Sequence, residues 1–375
     1  MKRLLAVLLI FSLALCLAGC GAGPEEKSSG LTVTGSMKLK YATQFSVDYC
    51  EGGYRLITLA DGSRFLTVPE GSELPADLDA DIVPLYQPVG NIYLAATAVM
   101  CLFDSLDRLD AIRLSGTKED GWYLPDARKA MQDGRILFAG KYSAPDYELI
   151  TAEKCPLAVE SMMIGHTSDI KDQLERLGVV VLVDQSSNEE HPLGRVEWVK
   201  LYGAILGEEE RADRVFQEQL DLLDSVSGSG ASGKTVAFFY VSSTGRIIAR
   251  KSGDYVSRMI ELAGGEYVLN GLEDDGSMTS SVTLDPEFFY ASARDADVII
   301  YNSAIAGEVT DIGSLISMCE LLGDFKAVQN GDVWCTEKNM YQEMTSSGEM
   351  IKEIHDILNG NYDEQKESGY FRHLK

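Results

Sequence analysis

Residues 192–226 read PLGRVEWVKLYGAILGEEERADRVFQEQLDLLDSV. No strand pattern interrupts this stretch. Val199, Tyr202, Leu206, Ala212, Phe216, Leu220 and Leu223 recur at helical spacing. Gly207 followed by Glu208, Glu209 and Glu210 predicts a helix end and an acid-rich restart, because acids favour the positive end of a helix dipole. The second piece, 208–226, spans about 28 Å at 1.5 Å per residue. The run SGSGASG at 227–233 then breaks it. A helical connection of this length divides the chain into an N-terminal and a C-terminal part.

Both parts read as α/β. Before the connection, strands are expected at 111–114, 136–139, 156–159 and 179–183, with helices at 124–133, 147–153 and 170–177 between them. After it, strands at 235–241, 298–301 and 333–336 alternate with helices at 255–263, 286–293, 315–322 and 347–358. Short β-branched runs with both faces apolar, alternating with helices, indicate parallel sheets covered on both sides. Upstream, 39–46, 54–59 and 64–68 read as a small meander with glycine-containing turns, and 91–106 reads as a helix. A weak internal echo links the halves. Pro145–Ile150 leads to Val159, eleven residues after Glu148, and Leu284–Phe289 leads to Val298, eleven residues after Glu287.

The N-terminus sets the compartment. Lys2 and Arg3 precede an apolar run at 4–17, then Leu17-Ala18-Gly19-Cys20. A basic start, a short apolar core and small residues before a cleavage point make a signal peptide. The run is too short to span a bilayer comfortably. Leu-Ala-Gly-Cys resembles the bacterial lipobox, which implies an acyl chain on Cys20 and a mature protein anchored on the extracytoplasmic face of the cell membrane. Gly21, Ala22, Gly23 and Pro24, then the polar residues to Gly30, suit a tether.

Composition narrows the function. The 375 residues carry a formal net charge of −25, which argues against nucleic-acid binding. No G-x-S-x-G, Walker loop or G-x-G-x-x-G occurs, and none of His166, His191, His355 and His373 has metal-ligand spacing, so the enzyme reading is disfavoured. Five cysteines lie in the body, with no C-x-x-C spacing; Cys319 and Cys335 are one pair that an oxidising compartment would allow to bond.

A lipid anchor, a tether and two α/β lobes joined by one helical connection resemble the class III substrate-binding proteins of ABC importers. The likeness runs over roughly 37–358. It is carried by Pro88-Val89-Gly90-Asn91-Ile92-Tyr93-Leu94, by the Glu148 helix and its following strand, by Ala263-Gly264-Gly265, and by Asn330-Gly331-Asp332-Val333-Trp334. Cys155-Pro156-Leu157 departs from the family's usual Pro-Asp. The resemblance implies two lobes with mainly parallel sheets joined by a long rigid helix, with a ligand cleft between them. It implies the segments 1–19 signal, 20–36 anchor and tether, 37–190 first lobe, 191–227 connection, 228–358 second lobe and 359–375 polar tail. The cargo would be a ferric siderophore, with haem or cobalamin the alternative and a metal ion or oxyanion behind them, and no catalytic cofactor. The partners would be a permease dimer with a cytoplasmic ATPase, and the receptor itself a monomer.

Strand-end loops then become candidate walls: 90–97, 115–123, 140–145, 161–168 and 185–195 in the first lobe, and 242–253, 277–283, 303–311 and 337–345 in the second. Trp122, Tyr142 and Tyr93 either stack on a flat ligand or pack beneath their loops. Arg195, Arg246 and Arg250 either fork onto an anionic ligand or keep the surface soluble. Met162 and His166 carry the atoms for haem ligation, although such residues commonly fill gaps or line the surface. The resemblance places Glu148 and Glu287 at the lobe tips, facing arginines of the permease.

Overall fold

The computed structural model describes residues 30–228, 230–271, 280–366 and 369–375. The signal segment, Cys20, the first part of the tether and residues 277–279 of a predicted cleft loop lie outside them. The chain first forms β1 (Val33–Ser36), an exposed strand held by its pairing to the next, then β2 (Phe45–Cys50), β3 (Arg55–Leu59), β4 (Arg64–Val68) and β5 (Ile82–Tyr86). They lie in that order in one sheet, antiparallel except for the parallel β4–β5 pair. Phe45, Val47, Ile57, Leu59 and Phe65 join the main core. Cys50, Leu56, Leu66, Val68 and Ile82 form a separate small core on the other face. This sheet is therefore a module of its own within the expected first lobe. The expected strand at 39–46 begins only at Phe45, because the backbone before it is claimed by two buried carboxylates. Glu197 accepts from the amides of Lys40, Tyr41 and Ala42 at 2.8–3.0 Å. Glu189 accepts from those of Thr43 and Gln44 at 2.9–3.0 Å, and from Trp198 Nε1 at 3.0 Å.

The first α/β lobe runs β6 (Ile92–Leu94), α1 (Met100–Ser105), β7 (Ile112–Ser115), α2 (Pro125–Gln132), β8 (Leu137–Phe138), the hairpin β9 (Gly140–Lys141) and β10 (Ala144–Pro145), α3 (Tyr147–Ala152), β11 (Leu157–Ser161), α4 (Ser168–Arg176) and β12 (Val180–Asp184). Its sheet is parallel, in the order β12-β11-β6-β7-β8. The predicted helix at 91–106 is corrected: Ile92–Leu94 is a central strand, and the helix begins at Met100.

The connection is α5 (Pro192–Leu206) and α6 (Glu209–Ser227), two helices rather than one long one. Gly207 ends α5 at φ 77°, where a side chain would be strained. The pair then packs closely: a Cβ on Gly203 would lie 2.7 Å from that of Ala212. Nearly all of α5 is buried, Glu197 included.

The second lobe runs β13 (Thr235–Val241), β14 (Ile247–Arg250), α7 (Tyr255–Leu262), β15 (Glu266–Tyr267), β16 (Ser281–Leu284), α8 (Pro286–Ala293), β17 (Val298–Tyr301), α9 (Ser303–Ala306), α10 (Ile312–Met318), α11 (Lys326–Asn330), β18 (Val333–Thr336), α12 (Ser347–Asn359) and β19 (Phe371–His373). The order is β16-β14-β13-β17-β18-β19, with β15 also on β13. Two expectations need correction. Residues 247–250 and 281–284 are strands rather than cleft loops. The C-terminal segment is not a polar tail: β19 pairs with β18, and Tyr370, Phe371 and Leu374 are buried. Cys319 and Cys335 are both free thiols, as are Cys50, Cys101 and Cys155, so the allowed disulfide is absent. Cys335 is enclosed within β18, while Cys319 caps α10.

Candidate ligand cleft

The parallel strands of each sheet end in loops where a cleft between lobes is expected. In the first lobe, β11 ends in Glu160 and Ser161, and β12 ends in Asp184 before Gln185. In the second, β17 runs into Asn302 and β18 ends in Thr336, while Arg250 ends β14, which runs antiparallel to β13. The second lobe meets the rest of the protein at several places. Helix α1 packs against residues 344–346. Arg195, in the first turn of α5, lays its guanidinium over the Tyr255 ring at 3.9 Å. Gln342 bonds the turn holding Gly121 and Tyr123.

Around Arg250 a polar knot forms. Its Nη1 donates to Ser280 Oγ at 2.7 Å and lies 3.7 Å from Asp254 Oδ2, while its Nη2 donates to the Tyr341 hydroxyl at 2.8 Å. Asn302 Nδ2 donates to the same hydroxyl at 2.8 Å. Burial works against the Arg250 charge, yet Tyr341 and Asp254 raise its pKa beyond the ordinary arginine value. Burial raises the carboxyls of Asp254 and Asp184 in spite of their bonds and nearby arginines. Asp184 Oδ2 accepts from Tyr202 at 2.7 Å, tying the β12 end to the connecting helix. Glu160 is fully buried, and burial pushes its carboxyl up to about 8.

Unpartnered polar atoms mark the same region. Trp122 Nε1, both Glu160 oxygens, Gln185 Nε2, Arg195 Nε, Arg250 Nε and Asn339 Oδ1 are buried without a hydrogen-bond partner in the protein. Glu160, Gln185 and Arg250 lie at strand ends or just beyond them, Trp122 and Asn339 in loops, and Arg195 in the first turn of α5; Thr67 Oγ1, in β4 of the separate sheet, is unpartnered too. Buried polar groups are nearly always paired, so such a concentration calls for an explanation. A cavity of about 830 Å³ lies at the Tyr123 end, between Tyr123, Pro125, Glu337, Lys338 and Arg372. Its charges are already paired, Arg372 with Glu337 at 3.1 Å and Lys338 with Glu308 at 3.5 Å. The unpartnered atoms therefore locate the site better than volume does.

The structure places the predicted residues unevenly. Arg195 and Arg250 come together near Tyr255, whereas Arg246 stands exposed at the β13–β14 turn. Tyr93 is a core residue with no exposed surface, its hydroxyl donating to Gly140 O at 2.8 Å. Trp122 is 1% exposed, so its ring cannot stack on a cleft ligand as placed. Tyr142 is half-buried in the β9–β10 turn. Met162 Sδ accepts from Ser187 Oγ at 3.6 Å, and His166 is exposed on the same short turn. Glu148 and Glu287 are both exposed and both second in their helices, after the capping residues Asp146 and Asp285. Sequence reasoning missed Glu160, Asp184, Asp254, Tyr255 and Asn302, and it placed Gln185, Asn339 and Tyr341 in candidate loops without singling them out. A glutamate ending the apolar run Leu-Ala-Val was the available signal for Glu160.

The match to known proteins agrees with this geometry. Residues 117–339, more than half of the chain, match the family described as periplasmic binding protein, and the chain belongs to that family. It is 24% identical to the uncharacterized lipoprotein MJ0878 of Methanocaldococcus jannaschii, over 96% of this chain and 93% of that one. Among solved structures it resembles the periplasmic heme binding protein HutB of Vibrio cholerae, with TM-score 0.58 and 15% identity, over 70% of this chain and 96% of that one. It also resembles a protein of an ABC-type Fe3+-hydroxamate transport system from Saccharomonospora viridis, with TM-score 0.53 and 17% identity, over 71% and 92%. The two-lobed binding-protein fold is thereby established. No helix among the described residues is long and apolar enough to cross a membrane.

Proposed function

We propose that the protein is an extracytoplasmic, lipid-anchored receptor that captures a ferric siderophore and delivers it to an ABC permease. The observation that carries this reading is the set of unpartnered buried polar atoms on the strand ends, the loops beyond them and the first turn of α5. Four are N–H donors, from Trp122, Gln185, Arg195 and Arg250, and they suit the oxygen-rich periphery of an iron chelate. Haem and cobalamin are the alternatives. The haem-binding and hydroxamate-system neighbours support an iron cargo, and the lipoprotein relative supports acylation at Cys20. In delivery, Glu148 and Glu287 would each meet a basic pocket on one permease subunit, charge complementarity setting register and encounter rate. The test is native mass spectrometry and an absorption spectrum of the protein purified from iron-rich medium. A co-purifying ferric chelate supports the reading; a co-purifying iron-free solute refutes it.

A further inference from the structure

Gln342 lies beyond β18 in the second lobe, yet its side chain is spent on the first. Its Oε1 accepts from the Tyr123 amide at 2.8 Å, and its Nε2 donates to the Gly121 carbonyl at 2.8 Å. The residue is only 9% exposed. A primary amide offers an acceptor and donors on one planar group, so it can hold both backbone groups at once. Between them sits Trp122, whose indole N–H has no partner in the protein. Beside it, α1 packs against residues 344–346; farther off, the connection meets the second lobe through the Arg195–Tyr255 stack, which has no comparable directional bonds.

We infer that Gln342 is a positioning residue for cargo capture: its side-chain amide ties the lobes together at the β7–β18 end and holds the Trp122 turn at their boundary. Separation of the lobes there requires both bonds to break. Neither Arg195 nor any other cation is needed for the tie, so it is insensitive to salt. Its use in capture rests on the receptor reading above, whereas the tie itself does not.

The experiment uses the mature protein without cargo, measuring amide exchange at Tyr123 and hydroxyl-radical footprinting of the aromatic side chains. Gln342→Ala should speed Tyr123 exchange by about tenfold or more, the consequence of losing a buried hydrogen bond. It should also raise oxidation of Trp122 and Tyr341 several-fold while Trp198, enclosed in α5, stays at its wild-type rate. Gln342→Glu keeps the acceptor for Tyr123 but sets a carboxylate oxygen against the Gly121 carbonyl, so it should also speed exchange and raise the same footprints, and it serves if the alanine variant folds poorly. Wild-type exchange and footprints in both variants would overturn the tie. So would a change confined to Tyr123, which would make Gln342 a local support of its own turn. Because no cargo is present, a failed tie and a protein that binds no iron chelate are separate results.

Discussion

Glu197 is the strongest single handle on the fold. It is an acid in a helix otherwise buried among Val196, Trp198 and Val199, and its carboxylate accepts from three consecutive backbone amides, Lys40, Tyr41 and Ala42, with Lys200 Nζ at 3.5 Å. Glu197→Leu leaves those three donors without an acceptor. Each unsatisfied buried donor costs about 1–3 kcal/mol, but residues 40–42 are only partly covered and water can reach them. The net loss should be about 2–4 kcal/mol, smaller than three full penalties. Glu197→Gln keeps one oxygen as acceptor and turns an NH2 toward a donor, so it should lose roughly half as much. Urea unfolding followed by tryptophan fluorescence gives the stability, and amide exchange over residues 40–44 gives the locality. An unchanged midpoint and unchanged exchange at Tyr41 and Ala42 in Glu197→Leu would refute the reasoning.

Three further outcomes are expected. Glu160 has its carboxyl raised by burial from 4.5 to about 8, so the folded state holds a proton that the unfolded state has released. Its neutral form is favoured below pH 4.5, and stability is lost as pH rises from there through about 8, at most about 3 kcal/mol by pH 7. Glu160→Gln should flatten that slope in urea melts between pH 5 and 8, and an identical slope would count against it. Cys20→Ser should move the protein from the membrane pellet to the soluble extracytoplasmic fraction without unfolding it; retention in the pellet removes the anchor assignment. Changing Glu148 and Glu287 together to Arg should leave cargo affinity within about twofold while abolishing uptake, because the two acids stand exposed at their helix starts; wild-type uptake would make them ordinary helix-start acids.

How much was legible depended on where the deciding information lay. The connection was readable because α5 and α6 carry a long apolar repeat and Gly207 marks their break. Strands β12 and β17 were readable as unbroken β-branched runs. By contrast, Ile92–Leu94 is three residues long and too short to show a period of two. Its strand state is imposed by parallel pairing to β7 and β11. Arg250 looked like a loop cation because β14 exists only through partners in β13 and β16, and its burial depends on Tyr341, 91 residues away. The segment at 371–373 is a strand for the same reason: Phe-Arg-His carries no signal until β18 offers an edge. Within the candidate site, Arg195 and Arg250 were visible as cations in an acidic chain. Their partners Asp254, Tyr255 and Tyr341 were not, since tertiary contact alone assembles them.

The central claim is that the cleft receives an iron complex. Calorimetric titration of the mature protein with a ferric hydroxamate, a ferric catecholate, haem and cobalamin tests it most directly, with simple sugars and amino acids as controls. Sub-micromolar binding of a ferric chelate, weakened at least tenfold by Arg195→Ala and with the controls silent, is the predicted result; silence for all four, or tight binding of a sugar or amino acid, would contradict it.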